Sequence, residues 1–398
     1  MEHFSVIQSI CRIGLAHDDE KFRKQVVRLR DRLLKDGSEK HASTLDRLLA
    51  AKKREVSLAP SRVEVSRAVV VGEELTANVP APSDRETSAQ LADIILEPGV
   101  GDVTPIYNHD LDAALEGIAQ EWNNVSALRS LGVSPSLSCL FYGQPGTGKT
   151  LSAYKLAADL GLPIVSARID GLVSSFLGTT ARNIGTLFEF ANRYRCILLL
   201  DEFDALAKMR DDPHEVGEIK RVVNTLLQNL DLRANIGMTV AITNHELLLD
   251  TAIWRRFDMQ VQFPSPDFVA RKKMVESFLS PLSVTDEVSA AISMITDEAS
   301  GAELESLINS TKRILALQKL KSIGVREIFD GIRAALGRSS LKERNSLAHD
   351  LCVDEGTFIL NVLNDERFSV TQNSLAEMLG VTQSTIARRS KRHMKKTA

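Results

Sequence analysis

The octapeptide at residues 143–150 constrains the fold of this 398-residue chain more than any other feature. It reads GQPGTGKT, with Gly143, Gly148, Lys149 and Thr150 at the defined positions of a phosphate-binding loop. The apolar run SCLFYG precedes it and a helical pattern starts at Lys149, which is the context that this motif requires. The glycines let backbone N–H groups surround phosphate oxygens at a helix N-terminus. We therefore predict that Lys149 reaches the β- and γ-phosphates of a nucleotide and that Thr150 binds magnesium.

Apolar, strand-like runs alternate with helical patterns from about residue 106 to residue 265. The runs are SCLFYG, PIVSARI, CILLLD and MTVAIT. Such alternation is typical of a parallel sheet covered by helices, so the predicted fold class is α/β, a parallel-sheet P-loop NTPase. Pro264 and Pro266 mark a boundary, after which the pattern is helical only.

The chain divides by its patterns into five predicted regions. They are an N-terminal helical bundle (1–54), a linker (55–105), a large α/β domain that carries the phosphate loop (106–265), a small all-helical domain (266–337) and a helical C-terminal region (338–398). The linker assignment depends on VPAPSDRETS, whose proline, serine and charge content is typical of flexible segments. The N-terminal bundle, predicted as three short helices with an end at Gly37, is either a recruitment module or a packing extension.

Composition and charge argue against some classes of protein. The net charge of −3 argues against a protein that coats nucleic acid or membrane with its whole surface. The four cysteines have no paired spacing, and neither a signal peptide nor an apolar run of membrane-spanning length is present. We expect a cytoplasmic protein with no membrane partner.

Candidate metal-binding and catalytic residues follow two of the other apolar runs. Asp201 and Glu202 end CILLLDE, where Asp201 can support magnesium and Glu202 is the candidate general base that polarises the attacking water. Asn244 ends MTVAITN and can orient that water. Arg255 and Arg256 are either a surface pair or groups that stabilise a transferring phosphoryl group.

These segments in this order resemble the AAA ATPase family, within the AAA+ superfamily, and its protein-remodelling and severing branch. The motifs are GQPGTGKT, ILLLDEFDAL, TNH, LDTAIWRRFD and SGAELESLI, over somewhat more than half of the chain. The resemblance implies Mg²⁺-dependent hydrolysis of ATP to ADP and phosphate in a homo-oligomeric, hexameric ring. It makes Asp201 and Glu202 Walker B, Asn244 sensor 1, and Arg255 and Arg256 arginine fingers that act on the neighbouring subunit's ATP. It identifies the domains at 106–265 and 266–337 as the large ATPase domain and the small lid domain. It assigns ATP binding to Walker A, the residue after it and the start of a lid helix: Gly143, Gln144, Pro145, Gly146, Thr147, Gly148, Lys149, Thr150, Leu151, Gly301 and Ala302.

The stretch SSFLGTT at residues 174–180 resembles the first pore loop of this family. In that family an aromatic, an aliphatic and a glycine residue grip an extended polypeptide in the central channel, and Phe176, Leu177 and Gly178 take these positions. Apolar contact of this kind needs no sequence-specific recognition. The alternative is that Phe176 packs into the domain core. Thr179 departs from the family pattern, which often has glutamate there.

The segment NSLAEMLGVTQSTIARRSKR at residues 373–392 resembles a DNA-binding helix-turn-helix. Gly380 suits the turn, Ile386 returns to the core, and six Lys or Arg residues with no acid follow Val381. The candidate DNA contacts are Gln383, Ser384, Thr385, Arg388 and Arg389. The alternative is a helical cap that packs on the ring or on a protein partner.

Two functional hypotheses follow. The first is an ATP-driven motor that unfolds or translocates a polypeptide substrate, with a separate protease or adaptor as a partner if proteolysis follows. The second is a DNA-associated ATPase, tethered through the C-terminal segment, that serves as a transposition helper, regulator or genome-defence component.

Overall fold

The chain folds into two compact units, residues 1–69 and 70–398, in a computed structural model. The residues described are 20–51, 72–99, 101, 104–172, 177–207, 216–233, 236–318, 322–367 and 370–397. Within them, no helix is both long and apolar enough to cross a membrane.

The first unit contains a helical hairpin. Helices α1 (Glu20–Lys35) and α2 (Glu39–Ala51) are joined at Gly37, whose φ of +71° is the left-handed conformation that ends many helices. Apolar residues from both helices, spaced by three, four or seven positions, form one buried cluster: Val26, Leu33, Ala42, Leu45 and Leu49. The first of the three predicted helices falls outside the described residues.

The second unit is built on a six-stranded sheet with the order β1-β3-β4-β5-β2-β6. Its strands are β1 (Ala92–Ile95), β2 (Ser138–Gly143), β3 (Ile164–Ala167), β4 (Ile197–Leu200), β5 (Met238–Thr243) and β6 (Met259–Phe263). All pairs are parallel except β1 with β3, which is antiparallel. The mixed α/β fold with a mostly parallel sheet confirms the predicted fold class.

The central strands are buried on both faces. In β4, Ile197 and Leu199 pack into one apolar cluster, while Leu198 and Leu200 pack into another. Strand residues alternate between faces, so near-continuous apolar runs are needed where helices cover both sides. This explains why β4 is an unbroken apolar run and why β5 has only threonines among its apolar residues.

The helices around the sheet include short connecting helices and longer helices that cover its two faces. They are α3 (His109–Asn123), α4 (Val125–Ser130), α5 (Lys149–Leu160), α6 (Ile169–Leu172), α7 (Leu177–Arg193), α8 (Phe203–Ala207), α9 (Val216–Asp231) and α10 (Thr251–Trp254). Helices α3 and α5 contribute to one apolar cluster, and α7 and α9 to the other.

Strand β1 lies within the range that the sequence assigns to a linker. It pairs with β3 in the register Ala92 to Ala167 and Ile95 to Ile164, so the sheet begins before residue 106. Just before it, the buried carboxylate of Asp84 accepts a hydrogen bond of 2.9 Å from the Asn183 side chain on α7. Residues 79–88 do form a loop, but this loop packs against the sheet domain and is not an extended spacer.

The described residues after β6 form helices and the turns that connect them. The range predicted as the lid contains α11 (Phe268–Leu279), α12 (Asp286–Ile295), α13 (Gly301–Leu317) and α14 (Val325–Leu336), and the range predicted as the C-terminal region contains α15 (Leu341–Arg344), α16 (Ser346–Val353), α17 (Glu355–Leu363), α18 (Gln372–Leu379) and α19 (Gln383–Thr397). One continuous apolar core joins them, from Leu279 and Phe329 in the lid to Phe358 and Ile386 at the end. The C-terminal helices are therefore packed on the lid.

Candidate nucleotide-binding site

The phosphate loop lies between β2 and α5 and adopts glycine-dependent geometry. Gly143, Gly146 and Gly148 have φ values of +137°, +76° and +94°, a region that residues with a β-carbon rarely adopt. A β-carbon on Gly143 would also lie 2.3 Å from the Phe263 carbonyl oxygen. The backbone conformation thus explains why the three glycines occur where they do, and it forms a cradle for phosphate oxygens.

Lys149 lies at the start of α5 with its side chain almost fully buried. Its ammonium donates hydrogen bonds to the carbonyl oxygens of Gly143 (2.8 Å) and Gln144 (2.6 Å). Burial lowers the pKa of this ammonium to about 8, and the carboxylates of Asp201 and Glu246 oppose that shift. An anionic phosphate beside Lys149 would favour the charged form, so the residue fits a polyphosphate ligand.

Two oxygen donors meet beside the loop. The Thr150 hydroxyl donates to an Asp201 carboxylate oxygen at 2.9 Å. Among the described residues, no group of three or more His, Cys, Asp or Glu residues is placed to hold a metal ion. Magnesium commonly binds through one or two protein oxygens and substrate phosphates, and Thr150 and Asp201 supply donors of this kind. If bound there, magnesium would neutralise charge on the phosphates.

Glu202 follows Asp201 directly and has an unusual backbone conformation. Its φ is +52°, which is uncommon for a residue other than glycine and is often found at functional sites. Its N–H donates to the Asp201 carboxylate at 2.8 Å, and its side chain is exposed. The two adjacent acids therefore have different environments, since Asp201 accepts a hydrogen bond from Thr150 and Glu202 is exposed to solvent.

The phosphate loop opens into a cavity of about 360 Å³. Its lining contains most of the predicted ATP-binding residues, namely Pro145, Gly146, Thr147, Gly148, Lys149, Thr150, Leu151, Asp201, Gly301 and Ala302, together with Asn244. Adjacent parallel strands β4, β5 and β2 bring Asp201, Asn244 and the loop to one sheet edge, where such sheets hold ligands. Glu202, Gly143 and Gln144 are next to this lining in sequence but are not part of it.

Part of the cavity lining is apolar and comes from segments outside the sequence motifs. Ile106, Tyr107, Met274 and Phe278 line it. The Tyr107 hydroxyl lies 2.6 Å from that of Ser152 on α5, and burial raises the pKa of Tyr107 to about 12. Apolar lining beside a phosphate cradle suits the planar base of a nucleotide. Only long-range folding brings these side chains together, so no local motif indicates them.

Asn244 is half-buried at the end of β5. The adjacent Thr243 hydroxyl donates to the buried Asp204 carboxylate at 3.2 Å and accepts from the His245 N–H at 3.0 Å. Asp204 is the third acid of DEFDAL, and no sequence pattern assigns it a role. It links the segment after β4 to the segment after β5.

The two arginines lie apart from the cavity of their own chain. Arg255 and Arg256 follow α10 and are exposed, and neither lines the cavity. Arg256 pairs with Asp231 at 2.8 Å, whereas Arg255 makes no ion pair or side-chain hydrogen bond with any residue in the described part of the chain. The next motif residue, Phe257, is buried edge-on against Phe203 with ring centroids 5.8 Å apart.

The predicted pore loop is only partly within the described residues. Phe176 falls outside them, and Leu177 and Gly178 are the first residues of α7. The residues that follow in α7 pack into the domain, since Thr180 and Asn183 are buried. The roles of Phe176, Leu177 and Gly178 remain predictions.

The candidate DNA contacts lie on or beside α19 with differing environments. Gly380 precedes the helix with a φ of +64°, and Gln383, Ser384 and Arg388 are exposed. Arg389 instead pairs with Glu355 of α17 at 2.8 Å. Thr385 is half-buried, with its hydroxyl 2.9 Å from that of Thr382.

Comparison with known proteins agrees with this geometry. Residues 139–265 match the family described as ATPase family associated with various cellular activities (AAA). The chain is 36% identical over 231 residues to an uncharacterized AAA family ATPase, y4kL, of Sinorhizobium fredii, covering 57% of this chain and 70% of that protein.

Two other relatives share the same region over a smaller part of their length. A 26S proteasome regulatory subunit homolog of Methanothermobacter thermautotrophicus is 34% identical, covering 52% of this chain and 54% of its own. The ATP-dependent zinc metalloprotease FtsH of Bacillus subtilis is 33% identical, covering 59% of this chain and 39% of its own. The match thus spans less than two thirds of both relatives. The phosphate loop, the acids after β4 and these matches together show that the chain belongs to the AAA family of ATPases.

Proposed function

We propose that this chain is the subunit of a hexameric ATP-driven motor that pulls a polypeptide through a central pore. The observation that carries the proposal is the position of Arg255, which is exposed and does not line the cavity of its own chain. A guanidinium stabilises a transferring phosphoryl group only at close range. A complete hydrolytic site would therefore combine the cavity of one subunit with Arg255 of the next, as a head-to-tail ring allows.

The proposed cycle uses this chain's own groups at each stage. Lys149 and the phosphate loop bind the triphosphate, and Glu202, with its carboxylate open to solvent, accepts the proton of the attacking water. Loss of the γ-phosphate would remove a contact with the neighbour's arginine and shift the two subunits. Helix α7 begins directly at the predicted pore loop and packs in the core of the same domain, so that shift would move Phe176 along the channel.

The relatives named above support a protein substrate. One is a proteasome regulatory subunit homolog and another an ATP-dependent protease. No H-E-x-x-H zinc-protease motif occurs in the present sequence. We therefore assign the pulling step to this chain and, where degradation follows, the cleavage step to a partner.

A trapping experiment tests the pore loop. Glu202→Gln protein, purified with Mg²⁺ and ATP, should retain bound polypeptides that mass spectrometry identifies. Adding Phe176→Ala should lower the amount retained by about tenfold or more, because an apolar grip by an aromatic side chain is lost. Phe176→Tyr, which keeps the ring, is the matched control and should retain the polypeptides. Equal retention by all three proteins would contradict the pore assignment.

A second candidate function is tethering of the motor to double-stranded DNA. The observation that favours it is the arrangement of α17, α18 and α19, where α19 packs through buried Ile386 and exposes Gln383, Arg388, Lys391 and Arg392. Exposed cations on a second helix after a left-handed glycine suit phosphate and groove contacts. Arg389 is not among these exposed cations, because it pairs with Glu355.

The DNA candidate makes a salt-dependent prediction. The intact protein should bind a random-sequence duplex at low salt, and log affinity should fall linearly with log salt. Arg388→Ala and Lys391→Ala should weaken binding to all sequences, each reducing the slope by about one. Arg338→Ala, an equal charge change at an exposed position outside α17, α18 and α19, is the control. No binding at low salt would exclude the tether and leave the C-terminal helices as a cap or protein contact.

A further inference from the structure

The first turn of lid helix α13 touches the phosphate loop directly. The Ala302 N–H donates to the Gly146 carbonyl oxygen at 3.1 Å. A β-carbon on Gly146 would lie 2.8 Å from the Ala302 β-carbon and 2.9 Å from the Ser300 hydroxyl oxygen. The loop and the helix start are in close contact, so a displacement of the helix start displaces the backbone that binds phosphate.

Glu303 fixes this helix start. Its Oε2 accepts from the Ser300 N–H at 2.9 Å, and the Ser300 hydroxyl accepts from the Glu303 N–H at 3.3 Å, which forms a capping box. Its other oxygen, Oε1, accepts a hydrogen bond from the Arg344 guanidinium. Burial raises the pKa of Glu303, but the hydrogen bonds from Ser300 and Arg344 outweigh it and hold the pKa below its usual value.

The turn before α13 is anchored to the C-terminal region as well. Arg367 donates to one Asp297 carboxylate oxygen at 2.6 Å, and the Asn345 amide donates to the Asp297 carbonyl at 3.3 Å. From the lid side, almost fully buried Arg271 donates to the other Asp297 oxygen at 2.5 Å. Glu298 within this turn has a φ of +66°, a conformation that surrounding contacts must maintain.

We propose that Arg344 is a positioning residue for ATP binding. It lies in α15, outside the cavity, and acts through Glu303 and Ser300 on the contact between Ala302 and Gly146. The C-terminal region thereby supports the lid half of the nucleotide site. This inference rests on the ATPase activity of the family and not on the proposed ring or pore.

Nucleotide affinity tests the proposal. With the full chain and Mg²⁺, Arg344→Ala should raise the Kd of a fluorescent ATP analogue about two- to fivefold, the range for one partly exposed ion pair. The KM for ATP should rise equally, while kcat stays unchanged. Lys342→Ala is the matched control, because Lys342 is in the same short helix and donates to the Gly337 carbonyl instead. Arg344→Lys should recover part of the affinity. If Arg344→Ala and Lys342→Ala have equal Kd values, the proposal is wrong.

A double-variant cycle separates positioning from a general loss of stability. Glu303→Gln should raise the Kd by itself, and adding Arg344→Ala to it should change the Kd little further, because the two residues act through one contact. Thermal denaturation of each variant identifies any that fails to fold, and the conservative Glu303→Gln keeps the test informative in that case. Fully additive effects on Kd would overturn the proposed route through Glu303.

Discussion

Replacing Glu202 by Gln should lower the turnover of ATP by about 10²- to 10⁴-fold, the usual contribution of a general acid or base. Glutamine keeps the size of the side chain but cannot accept a proton from the attacking water. Binding of ATP should be retained, because the proposed contacts with the nucleotide come from Lys149, Thr150 and the phosphate loop. Steady-state phosphate release, measured beside equilibrium binding of the nucleotide, separates the two effects.

Glu305→Gln is the matched control for this experiment. Glu305 also lines the cavity, but it belongs to helix α13 and not to the segment after β4 that carries Asp201 and Glu202. Its variant should turn over ATP at nearly the rate of the unchanged protein. Turnover by Glu202→Gln at that same rate would reject Glu202 as the base and direct attention to Glu246, whose carboxylate acts on the Lys149 ammonium.

The backbone conformation of the phosphate loop could be predicted from the sequence because local chemistry specifies it. GQPGTGKT has glycine at the positions where this loop needs a positive φ, and the parallel order of β4, β5 and β2 brings Asp201 and Asn244 to the same sheet edge. Gly143, Gly146 and Gly148 show these conformations. A motif and one topological rule thus place the chemistry without knowledge of side-chain packing.

The rest of the site comes from contacts that no local pattern records. Tyr107 meets Ser152 across 45 residues, and Arg344 meets Glu303 across 41. Strand β1 is equally hidden, since ADII is short and follows a segment whose composition is that of a linker. In each case a short, ordinary stretch acquires its role only when another part of the chain packs against it.

Replacing Arg255 by Ala should lower turnover about 10³-fold, the lower end of the range for arginines supplied in trans. Arg255 makes no ion pair or side-chain hydrogen bond within the described residues of its own chain, so its loss removes little from the isolated fold. Arg256→Ala is the companion variant, because Arg256 already pairs with Asp231. We expect the smaller effect there. Sedimentation with Mg²⁺ and ATP shows whether either variant still assembles.

Mixing two inactive variants tests whether Arg255 acts on a neighbour. Arg255→Ala subunits keep Glu202, and Glu202→Gln subunits keep Arg255. In a head-to-tail ring with random exchange, about a quarter of the interfaces would combine an intact base with an intact arginine. The mixture should therefore recover about a quarter of the normal turnover, although each variant alone is nearly inactive. If Arg255 served its own chain, no subunit would contain both groups and mixing would recover nothing. Recovery thus distinguishes a site shared between subunits from one complete within a single chain.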